Sequence, residues 1–136
     1  MAGHAANQLY AHLTWHTWNR VGCIDESIAR HVRRVMEGAS RRTGIRLLAM
    51  AVLADHVHVL VSYTPHDRLS DFVRLAKCGS ALEVNRLVAG TLKWCRGFYA
   101  ASLHRRDLER VEAYIARQYW HHPDRIPQRR RGPVTS

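Results

Sequence analysis

The segment Ala54-Asp55-His56-Val57-His58-Val59-Leu60-Val61-Ser62 sets two imidazoles one residue apart inside a stretch that otherwise reads as a buried strand. Successive strand side chains point to opposite faces, so His56 and His58 share one face and Val57, Val59 and Val61 the other. Two neutral imidazoles on one sheet face can ligate a divalent cation. They can equally be two hydrogen-bonded histidines, and the spacing alone does not separate these readings. A structural zinc site wants four ligands, usually with cysteines at short spacing, and Cys23, Cys78 and Cys95 form no C-x-x-C. So few protein ligands would leave coordination positions open, as catalysis requires. The metal-dependent hydrolase barrels that also carry H-x-H need about 250 residues. This chain has 136.

A second constellation lies in Glu112-Ala113-Tyr114-Ile115-Ala116-Arg117-Gln118. Tyr114 and Gln118 are four residues apart and so stack on adjacent turns of one helix face, beside the apolar stripe Leu108, Val111 and Ile115. A tyrosine at the edge of such a stripe is, taken by itself, usually packing.

These side chains need elements to hold them. Leu9 to His16 alternates apolar and polar residues with the period of a half-buried strand. Asp25 reads as the N-cap of a helix with Ile28, Val32, Val35, Met36 and Ala39 on one stripe, and Gly44 as its stop. Arg46 to Ala54 and Val57 to Tyr63 read as a hairpin around the polar pair Asp55-His56. A further helix is expected from about Ser70 to Val88, carrying Phe72, Val73, Ala76, Leu82 and Leu87, with Gly79 as a weak point. Gly97 to Ser102 is a short fourth strand, and Asp107 to about His121 a final helix bearing Leu108, Val111, Ile115 and Tyr119. The order βαββαβ plus a helix predicts an α+β fold: a ferredoxin-like antiparallel sheet with helices on one face and a C-terminal, tyrosine-bearing helix. Residues 1–122 form the domain, and 123–136 are expected as a flexible basic tail.

The chain carries 21 basic and 11 acidic residues, a net charge of +10, and only Lys77 and Lys93 among the basic ones are not arginine. The planar guanidinium fork suits phosphate, so a polyanion is the leading partner. An odd number of cysteines argues against a disulfide framework, and no apolar run approaches the ~20 residues that span a bilayer, so the expected setting is cytoplasmic with no membrane partner.

Taken in order, these pieces resemble a known family. Trp15-His16-Thr17-Trp18-Asn19-Arg20, Asp55-His56-Val57-His58-Val59-Leu60-Val61-Ser62, Leu75-Ala76-Lys77-Cys78-Gly79-Ser80, Trp94 to Ser102, and Tyr114-Ile115-Ala116-Arg117-Gln118 followed by His121-His122 together cover about residues 9 to 122. The set is similar to the IS200/IS605-type single-tyrosine transposases, a branch of the HUH endonucleases, and to their relatives associated with repeated extragenic palindromes. The stretch Lys77-Cys78-Gly79-Ser80 departs from the Lys-Gly pattern frequent in that family.

The resemblance implies that His56 and His58 hold a divalent metal, Mg²⁺ or Mn²⁺, that Gln118 completes the site, and that Tyr114 is the nucleophile. Imidazoles intrinsically favour zinc, nickel or copper, so Mg²⁺ rests on the resemblance and on availability. A free phenol is only ~0.1% ionised at neutral pH, so attack requires removal of its proton. The implied substrate is single-stranded DNA flanked by a hairpin, cut through a 5′-phosphotyrosine intermediate. The implied assembly is a homodimer, in which the tyrosine helix can serve its own or the neighbouring subunit's histidine pair. Arg20, Arg74, Lys77, Arg117 and the run Arg129-Arg130-Arg131 are candidates for DNA phosphate, and Trp18 or Trp94 for base stacking. The competing expectation is a non-catalytic single-stranded DNA or RNA binding module, for which charge and a sheet-plus-helices plan would suffice.

Overall fold

A computed structural model describes residues 8–129. Four strands form one antiparallel sheet: β1 (Leu9–His16), β2 (Arg46–Val52), β3 (His56–Tyr63) and β4 (Tyr99–Leu103), in the spatial order β2-β3-β1-β4. The helices are α1 (Glu26–Thr43), α2 (Leu69–Leu87), α3 (Leu108–Ala116) and the short α4 (Gln118–His121). This is the α+β, ferredoxin-like plan expected from the sequence.

The pleat of β3 sends Val57, Val59 and Val61 into a core shared with Leu13 and Trp15 of β1, Val32, Met36 and Ala39 of α1, and Phe72, Val73 and Ala76 of α2. α1 begins where expected, with Asp25 accepting from the Ile28 amide at 2.8 Å, and ends at Gly44, whose φ of 77° is a left-handed cap that a Cβ would disfavour. The other sheet face carries a smaller core, in which Val111 and Ile115 of α3 cover Ala51, Leu53 and Leu60. Thus α1 and α2 occupy one face and the tyrosine-bearing helix the opposite one.

Three expectations shift. The hairpin turn falls at Leu53–Asp55, so His56 is the first residue of β3 rather than part of the turn. Leu82 and Leu87 are exposed and Ser80 and Val84 are buried in their place, because α2 meets α1 along a narrower stripe than its apolar content suggests. Gly79 is no weak point. A Cβ there would lie 2.8 Å from Val35 Cγ1, so glycine is what lets the two helices approach.

The chain beyond residue 122, expected as a tail, continues against the fold as far as it is described. The Ala54 amide donates to Arg125 O at 2.6 Å and the Glu26 amide to Gln128 O at 2.8 Å. Arg130 and Arg131 lie outside the described residues. Among those described, no helix is long and apolar enough to cross a membrane.

Replacing Gly79 by alanine tests the helix contact. Alanine gains up to ~1 kcal/mol of helix propensity, but forcing a methyl against the stiff, β-branched Val35 costs ~1–3 kcal/mol. Gly79→Ala is expected to lower the urea midpoint, whereas Gly79→Ala combined with Val35→Ala should recover it.

Candidate active site

On the face turned away from α1 and α2, register brings the polar members of two strands together. Thr14 lies opposite His58 and His16 opposite His56, with His12 one pleat further along opposite Leu60. His56 and His58 are buried, their ring centroids 5.0 Å apart. His12 Nε2 stands 2.9 Å from His58 Nδ1, and Thr14 Oγ1 3.3 Å from the same nitrogen. The Tyr114 ring meets both His58 and His12 edge-on at 5.9 Å, within one chain.

Gln118 arrives by a break in the last helix. At Arg117 the backbone (φ −90°, ψ 2°) leaves the α-helical line, and its amide reaches both Ala113 O at 3.1 Å and Tyr114 O at 3.2 Å. The continuous helix expected to His121 is therefore two pieces, α3 and α4. Tyr114 stays 45% exposed, while Gln118 turns inward to 0%. Its Nε2 donates to Tyr114 O at 3.3 Å, but its buried Oε1 has no partner among the described residues.

Burial, reinforced by the positive fields of His56, His12 and His122, pushes the His58 imidazole down to about 3, and only the neighbouring Gln118 amide pulls the other way. His12 is lowered as well, by burial. His58 is thus neutral at physiological pH, the form that ligates metal. Among the described residues no three His, Cys, Asp or Glu side chains converge as a metal cluster. A cation here would rest on two imidazoles and an amide oxygen, and the orphaned Oε1 of Gln118, a hard acceptor beside His58, fits that role. Removing a buried acceptor's desolvation penalty is what a cation would do for it.

Of the candidate phosphate contacts, Arg117 is exposed beside Gln118, and Arg20 is exposed close enough to His16 to add its field to the burial that lowers that imidazole's proton affinity. Arg20 and Asn19 both hold positive φ (52° and 53°), a strained turn that presents Trp18, whose ring lies under Lys93 Nζ at 4.5 Å. Arg74 sits on α2, in the layer across the sheet, beside Asp71 at 3.9 Å. Lys77 is committed internally, donating to Cys95 O at 2.6 Å and Gly97 O at 3.0 Å, and burial lowers its proton affinity. Trp94 packs edge-on against Trp15 at 6.3 Å and donates to Ser80 Oγ, so it belongs to the core. The cluster also contains residues that sequence reasoning did not select: His12 and His122, the latter 5.4 Å from the His56 ring. His12 was legible as a polar member of the β1 alternation; nothing in the sequence marked His122 beyond its following the tyrosine helix.

The sequence model of IS200-like transposases matches residues 5–118. The chain belongs to that family. Among relatives of this IS200-like transposase is the ISDra2 transposase TnpA of Deinococcus radiodurans, 26% identical over 120 residues that cover 82% of this chain and 85% of the relative. Its fold is similar to the crystal structure of a protein described as a transposase from Deinococcus radiodurans (TM-score 0.64, 24% identity, 82% of this chain and 91% of the other). It is likewise similar to a REP-associated tyrosine transposase solved bound to a REP hairpin (TM-score 0.71, 16% identity, 85% of this chain and 69% of the other).

Two outcomes follow from the geometry of this transposase. The unfolded chain takes up a proton at His58 near pH 6.5 and the folded one only near 3, so stability rises with pH between those values. The melting temperature of metal-free protein should fall from pH 7 towards 5, and His58→Gln should flatten that slope. Lys77→Ala should cost about 1–2 kcal/mol of stability by stranding two carbonyls, while changing the salt dependence of DNA binding by less than one phosphate contact.

Proposed function

We propose that this transposase nicks and rejoins single-stranded DNA beside a hairpin, with Tyr114 as nucleophile and His56, His58 and Gln118 as ligands of Mg²⁺ or Mn²⁺. The observation that carries this reading is the convergence, in one chain, of the half-exposed Tyr114 ring with His58 at 5.9 Å and of the fully buried Gln118 amide with the same imidazole. The hairpin follows from the REP-associated relative, which was solved on one.

The chemistry needs an oxygen in line with the leaving group and positive charge beside the non-bridging phosphate oxygens. A bound divalent cation supplies that charge and orients the scissile phosphate. Tyr114 Oη attacks phosphorus and loses its proton, the bond from phosphorus to the 3′ oxygen breaks, and the departing 3′ oxygen takes up one proton from solvent, so that protons balance. The products are a 5′-phosphotyrosine and a strand ending in a 3′-hydroxyl. Because the phosphodiester is exchanged rather than hydrolysed, a second 3′-hydroxyl can reverse the step on another strand without ATP.

Placement of Tyr114 over its own subunit's histidines supports attack in cis. A homodimer, as the family resemblance implies, is compatible with either arrangement. Among Arg20, Arg74, Lys77 and Arg117, singled out from the sequence, Arg20 and Arg117 are the two sited for phosphate, and Trp18 is sited for stacking on a base.

The test is incubation of a labelled, hairpin-bearing single strand with protein and Mn²⁺, read on a denaturing gel and by mass spectrometry of the conjugate. Wild type should form a covalent adduct that Tyr114→Phe abolishes and that chelator or His56→Ala reduces by at least ~10²-fold. An adduct that survives Tyr114→Phe removes Tyr114 from its role. Salt-dependent binding untouched by chelator, with no adduct, points to a binding module instead.

A further inference from the structure

Asp55 is 2% exposed, and both its oxygens are taken. Oδ1 lies 2.7 Å from His56 Nδ1, and Oδ2 accepts from the Arg125 guanidinium. An ionised carboxylate only accepts, so the hydrogen of that contact belongs to His56 Nδ1 and the lone pair of the ring to Nε2. Such a carboxylate behind a histidine fixes both tautomer and ring orientation. What is unusual is where the carboxylate's own counter-charge comes from.

Arg125 is brought there by the chain that leaves the tyrosine helix. After α4 a 3-10 turn, Pro123–Arg125, carries the backbone across the β2–β3 turn. Arg125 O accepts from Ala54 N at 2.6 Å, one residue before Asp55, and Gln128 O satisfies the Glu26 amide, one of the otherwise unpaired donors at the start of α1. His122 stands edge-on to His56 at 5.4 Å. The segment is thus laced to the end of the sheet at both sides of Asp55, and the guanidinium is also held by Asp124 at 3.3 Å.

We infer that residues 122–128 form a strap that orients His56, with Arg125 as a positioning residue acting through Asp55. The metal-binding part of this rests on the proposed function; the orientation of the ring does not. Without Arg125, a carboxylate buried to this degree has no guanidinium or ammonium beside it among the described residues, an arrangement that is costly. Asp55 then turns towards solvent, His56 loses its acceptor, and the ring populates both tautomers. The strap also links α3 and α4, which carry Tyr114 and Gln118, to the histidine pair by a second route, through Asp55, besides the packing of α3 on β2 and β3.

The test uses the full chain with Arg125→Ala and Arg125→Lys, and two readouts. In metal-free protein, long-range ¹H–¹⁵N spectra of the imidazoles should show His56 as a single Nδ1–H tautomer in wild type, a mixture in Arg125→Ala, and recovery of the wild-type form in Arg125→Lys. Calorimetric titration with Mn²⁺ alone should show affinity lowered ~10–100-fold in Arg125→Ala, with most of it restored by lysine. If Arg125→Ala does not fold, Arg125→Gln, which keeps the stem and loses the charge, carries the same expectations. A single Nδ1–H tautomer with unchanged Mn²⁺ affinity in the variant overturns the proposal, as does a wild-type His56 that is not the Nδ1–H form. The expected tautomers in wild type, Arg125→Ala and Arg125→Lys, with no Mn²⁺ binding by wild type, uphold the strap and remove the metal reading.

Discussion

Val57, Val59 and Val61 are fully buried between the sheet and the helices, and the period of two along β3 leaves His56 and His58 only the other face. A slip of one residue would drive both imidazoles into the apolar core of Val32, Met36 and Phe72, where burying a polar ring is costly. The packing on one side of the sheet therefore determines the chemistry on the other. Antiparallel pairing extends the same rule to β1, and it is register alone that sets Thr14 and His16 against the pair and brings His12 within reach of His58.

Where the smaller core ends, the site begins. Val111 and Ile115 seal α3 onto Leu53 and Leu60, and the next turn of chain reaches the histidines. This border position gives His58 enough burial to stay neutral and leaves Tyr114 open to a long, charged polymer. The break at Arg117 divides the labour between neighbouring turns: the phenol remains outside while the amide of Gln118 goes in. A straight helix would have kept both at its flank.

Positive charge is abundant but unevenly employed. Lys77 tethers the approach to β4, Arg34 pairs with Glu83 between α1 and α2, and Arg125 neutralises a buried carboxylate. Arg20 and Arg117 remain on the site's own side. Net charge identified a class of partner; which cations face that partner depends on which carbonyls and carboxylates folding placed beside each one.

By itself the sequence determined the element order, the sheet plan, the common face of His56 and His58, and the helical segment carrying Tyr114, because periodicity and capping are local properties of a chain; the break that sets Gln118 on a separate helix was not among them. It also carried the family, through an ordered set of short motifs spread over the domain. Only the tertiary structure decided that α3 lies across the sheet from α1 and α2, that Gln118 is buried beside His58, that Lys77 and Trp94 are engaged in internal hydrogen bonds, and that His12, His122 and Arg125 lie beside the histidine pair and Asp55. Those facts concern residues dozens of positions apart. Their proximity is set by register between strands and by the path of the chain after residue 117, and no local pattern of side chains encodes either.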